Sequence, residues 1–341
     1  MEPCARTRRP LAAVLLASCL GLIAGPALAD GPIVIKFSHV VAANTPKGRA
    51  ADRFKQLAEE RTKGRVRVEV YPNSTLYKDK EELEALQLGS VQMLAPSLAK
   101  FGPLGAKQFE IFDVPYMFPN AEFLEKIEAG PVGRKLMASL ETKGITGLAF
   151  WDNGFKVFSA NKPINVPGDL KGVKMRIQSS KVLEAEMRAL DAIPQVMAFG
   201  DVYQGLQTGV VDGTENPWSN MYTQKMHEVQ KYAVDTYHGY LGYAVIVNTK
   251  FWQGLPADIR TILEGAMKDA TAYEHEIARK DNDDAMDAIA KSGRTTIIHL
   301  TPAQRAVWEQ ALAPVRKEVA GRVGADVIDE ITKEQAGIAK H

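Results

Sequence analysis

Short β-branched runs alternate with amphipathic helical segments along this chain, and that alternation narrows the fold class more than any other feature. Residues 33–37 (Ile-Val-Ile-Lys-Phe) alternate in polarity and predict a strand. Pro46 opens a predicted helix with Ala50, Phe54, Leu57 and Ala58 on one face. A second strand, 66–71, ends at Pro72-Asn73-Ser74, and a helix over 81–88 and a short strand around 92–95 follow. This pattern predicts an α/β fold with a mostly parallel sheet covered on both faces.

Midway, residues 145–151 and 155–160 are strand-like runs on either side of Asp152-Asn153-Gly154, where Asn-Gly predicts a tight turn. After a break at 165–168 the pattern resumes with a strand at 174–177 and a helix at 181–190, so a second α/β unit starts near residue 150. A strand-rich passage, 232–248, leads to Pro256 and a long helical stretch reaching about Lys291. Thr301-Pro302-Ala303-Gln304 is a capping box with proline at the first helical position. At 341 residues the chain exceeds the usual size of one core. No low-complexity linker separates the halves, so strands crossing back and forth are expected to join them as a hinge.

The first residues carry an export pattern. Arg6, Arg8 and Arg9 precede an apolar run, 11–24, and Ala27-Leu28-Ala29 offers a cleavage site before Asp30. Residues 1–29 therefore read as a signal peptide, and the run is too short to span a bilayer. Leu16-Ala17-Ser18-Cys19 is an alternative processing site at which Cys19 would be lipidated. Cys4 is lost either way, and cleavage after Ala29 leaves no cysteine for a disulfide, a thiolate metal site or a nucleophile. A hydrophobic content of 45% and a charged content of 24% are globular values. The net charge of +1 gives no reason to expect nucleic acid or an anionic membrane as partner, so anion affinity must come from a local site.

Catalytic motifs are missing. His275-Glu276-Ile277-Ala278-Arg279 begins like a zinc-protease helix, but Arg279 stands where the second histidine is needed, leaving a solvated helix face. No dinucleotide fingerprint, phosphate loop or nucleophile elbow occurs, and the six histidines have no ligand spacing. Neither catalytic residues nor a metal or other cofactor is expected. Polar residues do gather at predicted strand ends, where open α/β sheets bind ligands. Arg176 ends Lys174-Met175-Arg176, Lys156 follows the Asn153-Gly154 turn, and Asn216 lies in a stretch too polar for a core strand. Together they read as an anion cleft, arginine offering a planar fork that matches a carboxylate.

At these residues the chain resembles the TRAP-transporter solute-receptor family, periplasmic binding proteins of the dicarboxylate-receptor type. The most specific stretches are Pro167-Gly168-Asp169-Leu170-Lys171-Gly172-Val173-Lys174-Met175-Arg176, residues 197–209 (Met-Ala-Phe-Gly-Asp-Val-Tyr-Gln-Gly-Leu-Gln-Thr-Gly) and residues 211–217 (Val-Asp-Gly-Thr-Glu-Asn-Pro). The resemblance implies a two-domain periplasmic binding protein fold with crossing hinge strands and a long domain-spanning helix. The expected division is 30–152 plus 242–281 as one domain and 153–241 plus 282–341 as the other, with the ligand between them. It also implies that Arg176 pairs with a ligand carboxylate, that Asn216 holds the same group, and that Phe199 lines the pocket. Lys156 stands where sialic-acid receptors of the family carry a second arginine, and Ser97 where they carry a glutamate, so a sialic acid is not the expected ligand. His39 and Lys47, in the first strand-to-helix loop, join Lys156 as candidates for a second carboxylate, and Tyr240 and Tyr243 for a hydroxyl contact. The implied function is a non-catalytic, monomeric receptor in the periplasm that passes succinate, fumarate or malate to the TRAP membrane permease subunits. Alternatives are the same role for a monocarboxylate, keto acid or sugar acid, and an enzyme on the same scaffold.

Overall fold

A computed structural model describes residues 31–338, so the expected signal peptide and the alternative processing site at Cys19 lie outside the described residues. The strands are β1 (Ile33–Ser38), β2 (Val66–Tyr71), β3 (Met93–Leu94), β4 (Ile145–Phe155), β5 (Val157–Ala160) and β6 (Lys174–Ile177). They continue with β7 (Ile193–Val196), β8 (Gly213–Asn216), β9 (Tyr232–Val234), β10 (Tyr240–Asn248) and β11 (Thr296–Ile298). They form two sheets, ordered β2-β1-β3-β10-β4 and β11-β9-β5-β8-β6-β7, which define a first and a second lobe.

Each sheet is mixed, not mostly parallel. β10 runs antiparallel to β3 and β4, and β5 runs antiparallel to β8 and β9. The physical reason is the chain crossing. β4 of the first sheet passes through Lys156 into β5 of the second, and β9 of the second returns through residues 235–239 into β10 of the first. Strands that enter a sheet from the other lobe run against those built by local strand–helix–strand units.

The expected turn at Asn153-Gly154 does not form. Strand β4 runs from Ile145 to Phe155 and pairs with β10 from Ile145 opposite Asn248 to Phe155 opposite Tyr240, with one register shift at Asn153 and another near Leu148. Gly154 adopts a φ of 146°, and a Cβ there would lie 2.9 Å from Nδ2 of Asn282. The glycine thus serves a close approach between strand and helix, not a reversal of the chain. β10 is buried at all nine positions between its two neighbours, so it shows no alternation.

The long helix Ala257–Ser292 spans both lobes. It packs against helix Pro46–Arg61 and β4 in the first lobe and against helix Trp218–Thr223 in the second. Its residues Leu263, Met267 and Ala270 join the core around β1 and β10, while Ala285 and Ile289 join a core with Phe199 and Trp218. Helix Pro302–Val323 opens with the expected capping box, Thr301 accepting from the Gln304 amide. It packs on helix Lys181–Ala189 of the second lobe and on the 107–113 turn of the first, and helix Ala325–Ile338 packs on Pro131–Ser139. The C-terminal helices therefore touch both lobes, and one hydrophobic cluster runs from Phe112 and Phe150 through Phe158 and Trp308 to Met187.

Candidate functional site

In the second lobe, Arg176 lies opposite Thr214 in the parallel pairing of β6 with β8, and Asn216 follows two residues on, on the same face. The Arg176 side chain is buried, and its Nε and Nη2 both donate to Met197 O at 3.0 and 2.9 Å. That clamp holds the guanidinium 5.8 Å from the centre of the Phe199 ring and leaves Nη1 for another partner. Asn216 donates from Nδ2 to Thr214 Oγ1 at 3.0 Å, and its Oδ1 is buried without a partner. Rotating the amide by half a turn presents a donor there instead.

The facing wall comes from the first lobe. Helix Pro46–Arg61 is capped by Thr45, whose hydroxyl accepts from Gly48 N, and this fixes Lys47 at the helix start. Lys47 Nζ donates to Ala95 O at 2.9 Å and sits 3.6 Å above the Tyr243 ring. Burial, then the nearby Lys100, pulls the Lys47 ammonium down to about 7. His39 is buried with no partner on either ring nitrogen, and burial followed by Lys47 lowers it to about 3, so the ring is neutral at pH 7. Tyr243 Oη accepts from Asn153 Nδ2 at 2.5 Å, and Ser97 pairs with Tyr243 in an isolated bridge. Ser38 Oγ, Asn153 Oδ1 and Asn220 Oδ1 are further buried polar atoms without partners. Orphaned polar atoms at this density cost free energy unless ligand or water meets them.

Several contacts join the two walls. Ser97 Oγ lies 3.3 Å from Gln178 Oε1, and Lys78 Nζ lies 3.0 Å from Asp201 Oδ1. The amide of Phe199 donates to Asp79 Oδ2 at 2.7 Å. Asp79 also takes Lys100 Nζ at 2.5 Å on its other oxygen, and Lys100 reaches Glu82 at 3.1 Å. The residues 197–199 that brace Arg176 are thus tied to the first lobe through one buried carboxylate. Sequence reasoning did not single out Asp79, Gln178 or Asn220, because their roles depend on partners across the cleft.

Two of the expected ligand residues have other partners. Lys156 is fully buried, with Nζ 2.9 Å from Glu215 Oε2 and 3.5 Å from Asp113 Oδ1. Glu215 Oε2 also meets His238 Nε2 at 3.3 Å, and the His238 ring stacks on Phe158 at 3.8 Å. The charge of Lys156 is already met by protein carboxylates, which corrects its reading as the partner of a distal ligand carboxylate. Tyr240 is corrected as well. It packs against Phe112 and Phe155, near the carboxyls of Asp152 and Glu128, in a different core from Tyr243. A three-residue step along β10 puts the two tyrosines on opposite faces. Arg176, Asn216 and Phe199 stand on one wall, and His39, Lys47, Ser97 and Tyr243 on the other.

Two lobes joined by crossing strands, with buried cations and amides on both walls of the cleft, define a solute receptor that closes over its ligand. The chain belongs to the bacterial extracellular solute-binding proteins of family 7, whose model matches residues 37–322. It is 64% identical over 323 residues to the C4-dicarboxylate-binding periplasmic protein DctP of Rhodobacter capsulatus, covering 94% of this chain and 97% of that one. A TRAP periplasmic solute-binding protein of Shewanella oneidensis with bound succinate superimposes with a TM-score of 0.87 at 41% identity, covering 88% of this chain and 98% of the other. One from Pseudomonas aeruginosa with bound L-malate gives a TM-score of 0.82 at 42% identity, covering 84% and 100%.

Two measurements test this geometry without any ligand. Lys156→Met leaves Glu215 and Asp113 buried without their cation and should lower unfolding stability by about 3–5 kcal/mol in denaturant titrations; wild-type stability would remove the ion pair from the folding argument. In Asp79→Ala, hydrogen exchange at the Phe199 amide should accelerate about tenfold while the β6 and β8 amides keep their rates. An unchanged Phe199 rate would mean that the bond across the cleft is not sustained in solution.

Proposed function

We propose that this chain is the periplasmic receptor of a tripartite ATP-independent importer, exported by residues 1–29 and acting as a monomer. In this reading it captures a C4-dicarboxylate such as succinate, fumarate or malate and delivers it unchanged to the membrane permease subunits. One observation carries the reading. Arg176 and Lys47 stand on opposing walls, each 1% exposed, and among the described residues neither is ion-paired with a carboxylate. A buried cation without a counter-charge is strongly unfavourable. A short dianion supplies one carboxylate to each wall, with Asn216 beside the first and the neutral His39 as a donor beside the second. The names of the similar proteins, the R. capsulatus relative and the succinate- and malate-bound structures, support the same ligand class. Binding then closes the lobes and excludes water, which strengthens each charge-assisted bond.

Succinate at 100 times its dissociation constant should stabilise the protein by about 2.7 kcal/mol in a thermal-shift assay, and acetate or lactate should not. Equal shifts from a monocarboxylate would sink the two-carboxylate reading. Arg176→Lys keeps the charge but loses the planar fork, and calorimetry should show a loss of about 2–5 kcal/mol. An affinity within about threefold of wild type, or about 0.7 kcal/mol, would remove Arg176 as the anchor.

Affinity should also depend on pH through Lys47. The free protein holds its ammonium near pH 7, pulled down by burial and Lys100 and held up by Glu82, Asp79 and Glu274. A bound carboxylate favours the charged form and raises that value. Affinity is therefore full below the free value and falls as pH rises through it, with proton uptake on binding at about pH 8. Titrations in two buffers of different ionisation heat measure the uptake; none at about pH 8, with affinity flat from about pH 6 to about pH 9, would rule Lys47 out as the titrating contact.

A further inference from the structure

Beside the two crossovers lies a cavity of about 930 Å³ whose lining includes none of the cleft-wall residues named above. Its walls come from the segment 115–122, from Phe155 at the end of β4, from Tyr237 in the β9–β10 crossover, from the long helix and from helix Pro302–Val323. Three arginines face it. Arg279 pairs with Glu122 at 2.8 Å. Arg305 donates to Thr236 O and Asp235 O at 2.6 and 2.9 Å, and its guanidinium sits 5.3 Å from the centre of the Tyr237 ring. Arg316 is half-buried, and its guanidinium makes one long hydrogen bond, 3.5 Å to Tyr116 O, with no carboxylate partner among the described residues. Arg305 also lies 3.7 Å from the Asp235 carboxylate, so Arg279 and Arg305 are each met by a carboxylate and Arg316 is the guanidinium left for an anion.

The apolar part of the wall is aromatic, from Tyr116, Phe118, Phe155 and Tyr237. Tyr116 and Tyr237 are both held at left-handed φ, 52° and 46°. For bulky residues this conformation is costly and persists where the surroundings impose it. Tyr116 is fixed by its amide donating to His238 O at 2.9 Å and its hydroxyl donating to Thr236 O at 3.2 Å. The residues that shape the cavity therefore also hold the chain where it returns from the second lobe to the first.

We propose that this cavity is a second ligand site, distinct from the cleft, which takes an organic anion with an aromatic or planar body and couples to the hinge. Arg316 supplies guanidinium donors to the acidic groups, and the tyrosine and phenylalanine rings supply stacking surface. Because Arg305 and Tyr116 grip residues 235–238, an occupant acts on the segment whose conformation sets lobe closure, and the two sites are thermodynamically linked.

Naphthalene disulfonate is the probe, titrated calorimetrically into the wild-type protein, into protein saturated with succinate, and into Arg176→Ala. One molecule should bind in all three cases, which separates this site from the cleft whatever acid the cleft takes. Arg316→Ala, or Arg316→Gln should the alanine variant fold poorly, should weaken the probe about tenfold or more while leaving the cleft ligand's affinity unchanged. Saturating probe should shift the succinate dissociation constant by about fivefold or more. Absence of probe binding, displacement of the probe by succinate, or full binding in the Arg316 variants overturns the site. An unchanged succinate constant with probe bound overturns the coupling.

Discussion

The Lys156–Glu215 ion pair is the interaction on which the geometry of the cleft depends. Lys156 is the residue that separates β4 from β5, and Glu215 precedes Asn216 in β8. Asp113 reaches the same ammonium from the first lobe, and His238 reaches the same carboxylate from the second crossover. Four distant segments therefore meet at charges buried away from water. Separating Lys156 from Glu215 leaves an uncompensated ion in the interior, a far larger penalty than the loss of a surface pair. That penalty pins β5 to β8 in the register that sets Val157 opposite Asn216, and so fixes where Asn216 stands on the cleft wall.

Much of the fold was legible because it is written locally. The alternation in Val66–Tyr71, the proline at the start of Pro46–Arg61, the capping box at Thr301 and the long helical stretch after Pro256 each lie within one element. What escaped is what depends on distant pairing. Asn153-Gly154 carries the composition of a turn, yet the strand continues past it with only a register shift at Asn153, and the glycine answers to Asn282 on a helix more than a hundred residues later. Arg176 and Asn216 were legible as strand-end polar residues. Lys156 has the same local signature, and only the burial of Glu215 and Asp113 beside it separates a structural cation from a ligand-binding one.

The cleft shows why its two remaining cations can afford to stay unpaired. Arg176 is braced by the carbonyl of Met197 and Lys47 by the carbonyl of Ala95 and the face of Tyr243. Backbone dipoles and a ring quadrupole position each charge without neutralising it. A carboxylate in the same place would complete the pairing and leave nothing for a ligand to supply. Asp79 lies one step back, on the amide of Phe199 and on Lys100, where it joins the walls without pairing with either cation.

The helix Ala257–Ser292 has 36 residues, about 54 Å at 1.5 Å per residue, and is packed into both lobes. Its own hydrogen bonds fix its length, so it acts as a strut that neither stretches nor shortens appreciably. Lobes fastened to the two ends of a strut cannot draw apart along it, and the two crossovers restrain sideways slip. The freedom left to them is rotation with a slight flexing of the strut. Opening is thereby reduced to nearly a single coordinate, and a push applied anywhere on the outer surface of one lobe is delivered along it.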